Sequence, residues 1–552
     1  MRMSIVGIDL GTTNSLVARS DGGPPRIIPV DGERLLPSVV GVLEGGSLVV
    51  GREARNQYIL RPHDTVRSVK RQMGDSAWRC SLAGREYDAP GISALILGKL
   101  KAAAEAQAGP VMQAVITVPA YFGEAQRRDT VEAGQRAGLE VVRILNEPTA
   151  AALLYSTMSP FEGRVLVYDL GGGTFDVSVV QMEAGVTEVL ASHGSRRLGG
   201  DDFDERLAVH LAQEFERAHG IDLLQMPLAK ARLYRAAEEA KIRLSSAGVV
   251  EVREEFIAEN GGKPLHLEAE VTRQAFEELI EDLLDSTVAS VRRSLADAHC
   301  AAGGIDRVLL VGGSTRIPAV AERVAEETGR PVHVEIDPDA VVALGAAVQA
   351  AIIAGDDVEA LLVDVSAHAL GIATFDPYQD EEELAVVIPR NTAIPTSRSR
   401  LFYTVHSEQD TVEVKVYQGE DRDLEQDELL GRFRFEGLSP SSNATHPREV
   451  LVHFDYDLNG LLTVRAEDRP TGRSVEHRID MATRAVAPVP DGISVEERGI
   501  FRRLWAVSRR EEVEATDREK ARLLVERAQR LDTGPQWLDE ALELLYRIDP
   551  EY

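Results

Sequence analysis

The sequence predicts an α/β fold of two similar lobes over residues 1 to about 355, an all-β sandwich from 365 to about 480, and a charged helical segment beyond. Three observations lead there. Two glycine-rich loops about 160 residues apart look like copies of one another. Strands and helices alternate up to about residue 355, the pattern of α/β layers. Helical periodicity then vanishes, and short runs of alternating apolar and polar residues take its place.

The first loop is Val6-Gly7-Ile8-Asp9-Leu10-Gly11-Thr12-Thr13-Asn14-Ser15, and the second is Val167-Tyr168-Asp169-Leu170-Gly171-Gly172-Gly173-Thr174-Phe175-Asp176. In each, an apolar run ends in Asp, one apolar residue, and then Gly and hydroxyl residues before the next apolar run. That is a strand–turn–strand unit with a carboxylate at its mouth. Glycine lets backbone N–H groups approach an anion closely. Threonine hydroxyls add donors, and a carboxylate holds a metal ion through water. Two such hairpins predict a duplicated fold that grips a nucleotide between its halves. Strands are expected at 4–10, 15–19, 113–118, 164–169, 175–181 and 307–311, and helices at 92–107, 123–137, 202–218, 228–244 and 273–299. A third turn, Val311-Gly312-Gly313-Ser314-Thr315-Arg316, joins a strand to a helix whose N-terminus suits a phosphate or a sugar. Ala340 to Ala354 reads as a tightly packed buried helix, with Asp337 as its N-cap and Pro338 in its first turn.

Residues 356–364 read as a linker. Gly355-Asp356-Asp357-Val358-Glu359 is a polar break, and Ala360-Leu361-Leu362-Val363-Asp364 is an apolar strip. Left in water the strip forgoes its burial, so it is expected to dock at least part of the time. Beyond it, strands are expected at 369–374, 385–389, 400–405, 411–417, 431–436, 449–455, 460–466 and 474–479. Val412, Val414 and Val416 alternate with Glu413, Lys415 and Tyr417, a strand with one buried face. Together these strands read as a β-sandwich. From Ser494 the pattern is helical and charged, and Pro535 divides it into one long helix and one short one.

Composition narrows the function. The net charge of −29 repels nucleic acid and acidic membrane surfaces, so neither is expected as a partner. The longest nearly apolar run, Ala340 to Ala354, is shorter than the roughly 20 residues that cross a bilayer. The N-terminus goes straight into Ser4-Ile5-Val6-Gly7-Ile8 without the pattern of a secretory signal. Cys80 and Cys300 lack metal-ligand spacing and read as two reduced thiols of a cytoplasmic protein. There is no G-x-x-x-x-G-K-[ST], no HExxH, no Gly-x-Ser-x-Gly and no His–Asp–Ser set that spacing can assemble. Asn443-Ala444-Thr445 matches a glycosylation sequon by chance. Asp455-Tyr456-Asp457-Leu458-Asn459-Gly460 imitates the start of a calcium loop, but Ala466 stands where the bidentate Glu is needed. Its flanks are apolar strands, so it reads as a hairpin turn.

With these motifs in view, the chain resembles the 70-kDa heat-shock chaperones of the DnaK type. The matching stretches are Asp9–Ser15, Val118-Pro119-Ala120-Tyr121-Phe122, Asn146-Glu147-Pro148-Thr149-Ala150-Ala151-Ala152, Asp169–Asp176, Leu198-Gly199-Gly200-Asp201-Asp202-Phe203-Asp204 and Val311–Pro318. Single motifs of this set occur across the actin and sugar-kinase superfamily; the ordered set with linker and β-domain is specific. The tract from Arg390-Asn391-Thr392-Ala393-Ile394-Pro395 to Tyr417-Gln418-Gly419-Glu420 makes it most similar to short bacterial paralogues of the HscC kind. The resemblance implies an actin-like (ribonuclease-H-like, duplicated) α/β ATPase domain over 1–355, in lobes of about 1–163 and 164–355. It further implies a linker over 356–364, a β-sandwich peptide-binding domain over 365–482, and a truncated helical lid over 483–552.

It also implies an ATP-dependent chaperone that cleaves ATP to ADP and phosphate with Mg²⁺ and K⁺. By carry-over, Gly11, Thr12, Thr13, Gly171, Gly172, Gly173 and Thr174 cradle the phosphates, with Gly199 and Gly200 close by. Asp9, Asp169 and Glu147 hold hydrated magnesium, while Asp9, Asp169, Thr174 and Asp176 face potassium. Lys70 positions the attacking water. The adenosine site draws on Glu238, Lys241, Ser245, Gly312, Gly313, Ser314, Arg316 and Asp339. Peptide pockets match Ile372, Phe402, Val412 and Val414, and an arch over the peptide matches Phe375 and Val405. Coupling between nucleotide and peptide runs through Pro119, Arg127, Arg143, Asn146, Leu361, Leu362 and Asp364, with a J-domain cochaperone pressing near Arg143 and Asn146. The shortened stretch between Lys70 and Val115 puts a nucleotide-exchange factor in doubt, and the short lid predicts fast peptide exchange. Two other readings compete: an ATP-gated module that regulates one partner, and a small-molecule kinase of the same superfold. The β-domain and the apolar linker count against the kinase.

Overall fold

The computed structural model describes residues 4–158, 161–333, 337–356, 358, 360–376, 381–420, 424, 427–439, 447–478, 504, 515–529, 537, 540–542, 544 and 547. The chain forms two compact units, Met1–Gly74 with Arg79–Met481, and Asp75–Trp78 with Ala482–Tyr552.

The duplication read from the glycine loops is present in the sheets. In the first lobe the strand order is Glu140–Asn146, Val111–Val118, Ser4–Asp9, Asn14–Arg19, Arg26–Ile28, with Leu36–Pro37 also paired to Asn14–Arg19. The first three run parallel and the rest antiparallel. The second lobe repeats this order and sense with Val332–His333, Arg307–Val311, Gly163–Leu170, Phe175–Glu183 and Val186–Ser195. Each glycine loop is the turn between the first two hairpin strands of its copy. The alanine-rich helices Glu147–Met158 and Val341–Ile353 pack backbone against backbone: a Cβ at Gly345 would lie 1.9 Å from the carbonyl oxygen of Ala150.

Two helix expectations are corrected. The segment 273–299 is two helices, Arg273–Leu279 and Glu281–Asp297, parted at Ile280 with φ −110° and ψ 7°. Phe276, Ile280 and Leu284, four residues apart, stay on one face across the break and enter one core. Asp337 is not an N-cap, because the helix begins at Val341. Asp337 caps the turn ahead of that helix: its carboxylate accepts the N–H of Asp339 at 3.3 Å and the guanidinium of Arg316 at 3.0 Å, and its carbonyl accepts the N–H of Val341 at 3.1 Å.

The linker strip is a strand, Leu361–Val365. It pairs in parallel with Val186–Ser195 and antiparallel with Ala393–Ile394, so the second lobe's sheet runs on into the β-domain. Asp357 and Glu359 of the linker lie outside the described residues.

All eight strands expected after the linker are present. They form two antiparallel four-stranded sheets, ordered Glu381–Ile388, Leu370–Asp376, Thr411–Gln418, Glu428–Glu436 and Thr396–Tyr403, Glu449–Tyr456, Leu462–Asp468, Arg473–Arg478. Leu370, Ile388, Val416, Phe435, Val452, Phe454 and Val464 fill the space between them. Ala125, from the helix Glu124–Arg136 of the first lobe, is part of that same core. Asp457 accepts the N–H groups of Asn459 and Leu461 at 2.8 and 2.9 Å, which makes the calcium-like stretch the hairpin turn expected of it.

In the second unit, the helix Ala515–Gln529 buries Ala521, Leu524 and Val525 together with Trp537, whose indole N–H donates to the Leu524 carbonyl at 2.9 Å. Ser494, Pro535, the sequon and the expected boundary at 482 lie outside the described residues. Among the described residues no helix is long and apolar enough to cross a membrane, and Cys80 and Cys300 are free thiols.

Candidate active site

The two glycine hairpins meet tip to tip. A Cβ at Gly172 would lie 1.9 Å from Thr13 Oγ1, and one at Gly173 would lie 2.5 Å from Thr12 Cγ2. Only glycine permits that approach. A cleft of about 990 Å³ opens between the lobes, a volume suited to a nucleotide. The first lobe lines it with Asp9, Gly11, Thr12, Thr13, Lys70 and Glu147. The second lobe adds Asp169, Gly171, Gly172, Thr174, Glu238, Lys241, Ser245, Gly312, Gly313, Ser314, Arg316 and Asp339. Gly173, Gly199 and Gly200 lie behind that lining. Gly200 donates its N–H to Gly171 and accepts the Lys241 ammonium, each at 3.0 Å. Ser314 Oγ also donates to the Gly171 carbonyl, at 2.9 Å.

The cleft floor is acidic. Lys70 Nζ donates to Glu147 Oε1 at 2.5 Å, and both groups are buried. Burial pulls the Lys70 ammonium down, but the charges of Glu147, Asp9 and Asp169 outweigh it and leave its pKa above the ordinary lysine value. Asp9 is pushed up to about 7 by burial and by the Glu147 charge. Burial and Glu147 likewise push Asp169 well above the carboxylate range. Asp169 Oδ2 is buried without a hydrogen-bond partner. A carboxylate cluster short of positive charge, with an orphaned oxygen, fits a divalent cation. Among the described residues no three acidic, His or Cys groups stand close enough to ligate a metal together. Asp176 is buried outside the cleft lining. It is pushed up to about 7 by burial and Glu147, and it accepts the N–H of Tyr121 at 2.9 Å.

Sequence reasoning missed the arginines. Glu238 is gripped across the cleft by Arg55 at 2.7 Å and by Arg67 at 3.6 Å, and Arg67 lies 4.8 Å over the Tyr58 ring. Arg71 reaches the second lobe as well. These residues carry no motif, and each alone reads as a solvated charge. The only signal is five arginines between 52 and 71 in a stretch without a long helix. Arg316 is paired with Asp337 and Asp339 at the cleft's edge.

From this floor a chain of contacts leads to the β-domain. The Phe122 ring stands 5.8 Å from Lys70 Nζ. Phe122 closes the turn that begins at Pro119, and Arg127 holds that turn by donating to the Ala120 and Phe122 carbonyls, each at 3.2 Å. Arg127 also donates to Asn146 Oδ1 at 2.7 Å, and Asn146 Nδ2 donates to Asp364 Oδ2 at 3.0 Å. Asn146 is the residue before Glu147. The β-domain turn reaches the same edge, where Asn459 Oδ1 accepts the N–H of Ile144 at 2.9 Å. His368 meets the Tyr121 carbonyl at 3.1 Å. Arg143 is half-buried here, and its Nε finds no hydrogen-bond partner. Of the linker leucines, Leu361 stays exposed and Leu362 is half-buried.

The structure does not gather all the expected peptide positions onto an open face. Ile372 and Val414 are buried among the sandwich core residues. Phe402 and Val412 are half-buried against that core, while Phe375 and Val405 stand exposed. The inward face of a pleated strand supplies core and pocket alike, so spacing alone does not separate them.

A family model described as Hsp70 protein matches residues 5–79 and 75–541.

Proposed function

The chain belongs to the Hsp70 family, and from that premise we propose an ATP-driven cycle in which the state of the cleft sets the grip of the β-domain on extended apolar peptides. Members of the family are ATPases that bind ATP or ADP with Mg²⁺, and they act on unfolded polypeptides with cochaperones. The observation that carries the reading is the adjacency of Asn146 and Glu147. Asn146 bonds the linker carboxylate of Asp364, and Glu147 bonds Lys70 on the cleft floor. A shift of that chain segment on nucleotide binding reaches the linker directly, and linkage makes the effect reciprocal.

In this reading Gly11, Thr12, Thr13, Gly171, Gly172 and Thr174 cradle the phosphates, with Gly173, Gly199 and Gly200 shaping the loops from behind. Asp9, Asp169 and Glu147 hold hydrated Mg²⁺, which neutralises charge on the phosphates when bound. Asp9, Asp169, Thr174 and Asp176 are assigned to K⁺. Lys70, held by Glu147, orients the attacking water. Glu238, Lys241, Ser245, Gly312, Gly313, Ser314, Arg316 and Asp339 are assigned to adenosine. Phe402, Val412, Phe375 and Val405 are assigned to the peptide, and a J-domain cochaperone to the surface around Arg143. Two free thiols suit a reducing cytoplasm.

The test is ATP turnover with a panel of unrelated apolar peptides, with and without a J-domain protein. Stimulation by many peptides supports the chaperone cycle. A response to one partner alone would point to a dedicated regulator instead.

A further inference from the structure

We propose that Arg71 is a positioning residue for hydrolysis: fastened to the second lobe, it fixes the neighbouring Lys70 in place. The inference rests on the ATPase reading above and adds a residue to it.

The one-turn helix Val69–Gln72 belongs to the first lobe and carries Lys70. Arg71 Nη1 and Nη2 donate to the two carboxylate oxygens of Asp202 at 3.1 and 2.5 Å. Its Nε donates to the Gly173 carbonyl at 3.2 Å. All these acceptors belong to the second lobe. Gly173 is in the glycine loop, and Asp202 is in the first turn of the helix Gly200–His219, where it also accepts the N–H of Gly199 at 2.7 Å. On the other side of Lys70, Ser68 Oγ donates to Asp201 Oδ2 at 2.6 Å. Ser68 holds φ at 51°, a left-handed conformation that a non-glycine residue keeps when its surroundings impose it. Lys70 is thus flanked by contacts to the second lobe while its own ammonium reaches Glu147 of the first.

The Arg71 and Asp202 side chains are only 19% and 22% exposed, which limits screening by salt. Two parallel charge-assisted bonds fix the plane of the guanidinium, a geometry that lysine does not reproduce. Arg71 does not line the cleft, so it acts on the reaction through the groups it holds, the turn that carries Lys70 and the Gly173 carbonyl, rather than by touching the nucleotide. Without the fork, the turn that bears Lys70 is free to drift, and a displacement of about 1 Å at a reacting group costs up to about 100-fold in rate.

The experiment is single-turnover ATP hydrolysis by the full chain, with ATP affinity measured alongside. Arg71→Ala, Arg71→Lys and Asp202→Asn are each expected to slow hydrolysis about 10- to 100-fold, with ATP affinity unchanged. Arg71→Ala combined with Asp202→Asn is expected to be no slower than the worse of those two single variants, as for two halves of one contact. Arg71→Lys keeps the charge, so it decides the matter if Arg71→Ala does not fold. Wild-type hydrolysis by Arg71→Lys, additive losses in the double variant, or a loss confined to ATP affinity would each overturn the proposal. A wild-type chain that binds no ATP would overturn the ATPase reading instead.

Discussion

Replacing Asp364 with alanine is expected to undock the linker. Asp364 is 4% exposed. Its carboxylate accepts Asn146 Nδ2 at 3.0 Å and the N–H of Val365 at 2.8 Å. Burial pushes its pKa up, while these bonds and the charge of Arg127 pull it down. It also offsets the burial of Arg143. Truncation leaves the buried Asn146 amide unpaired and removes the anion facing two guanidinium groups. An unmet buried donor costs about 1–3 kcal/mol. Release from desolvating the carboxylate offsets part of this, and loss of its attraction to Arg127 and Arg143 adds to it. A net loss of about 1–3 kcal/mol follows, or roughly 5- to 160-fold in the docking equilibrium. Hydrogen exchange in the presence of ATP measures it, because the Leu361 N–H is bonded to the Gly185 carbonyl at 3.0 Å only while the strand is docked. Exchange at Leu361–Val365 should accelerate by that factor, while the lobe cores keep their protection. Unchanged exchange in that strand, or an equal loss of protection throughout the chain, would refute the reasoning.

Three further outcomes are expected. Lys70→Ala should abolish hydrolysis and leave ATP binding intact, read by turnover and equilibrium binding; loss of binding would reassign the residue. Gly345→Ala should lower thermal stability by about 1–3 kcal/mol, since its Cβ meets the Ala150 backbone at 1.9 Å. The control Gly98→Ala, with nothing within 4 Å of its Cβ, should stabilise by about 0.4–1 kcal/mol. Burial pushes His368 down to about 3, with Arg196 and Arg127 adding to the effect and the bond to Tyr121 opposing it. The docked form therefore rejects a proton that the undocked form takes up below about 6.5. Docking should be at full strength above that pH and weaken as the pH falls toward 3, by about tenfold at pH 5.5. His368→Leu should flatten this profile in the exchange assay, and an unchanged profile would assign the effect elsewhere.

Much of the architecture was legible because its signals are local. Asp9 to Ser15 and Asp169 to Asp176 each encode a whole turn, so the duplication could be read before any sheet was known. The alternation of Val412, Val414 and Val416 marks a strand without knowledge of its partner. Contacts between distant segments were not legible. Nothing near Arg71 announces Asp202, and nothing near Asn459 announces the N–H of Ile144. The docking of Leu361–Val365 was expected from its apolar character, but its partner strand and the burial of Asp364 were not. Helix boundaries were not legible either: the break at Ile280 carries no glycine or proline, and the later helix starts at Val341, one turn beyond Asp337. The peptide face was least legible, since Ile372 and Val414 alternate correctly yet point into the core.

Release of a bound fluorescent peptide, compared between ADP and ATP with magnesium, tests most directly whether the cleft and the β-domain work as one machine. Faster release with ATP, slowed back to the ADP rate by Asp364→Ala, is the expected result. Equal release with the two nucleotides, by a chain that binds both, would contradict it.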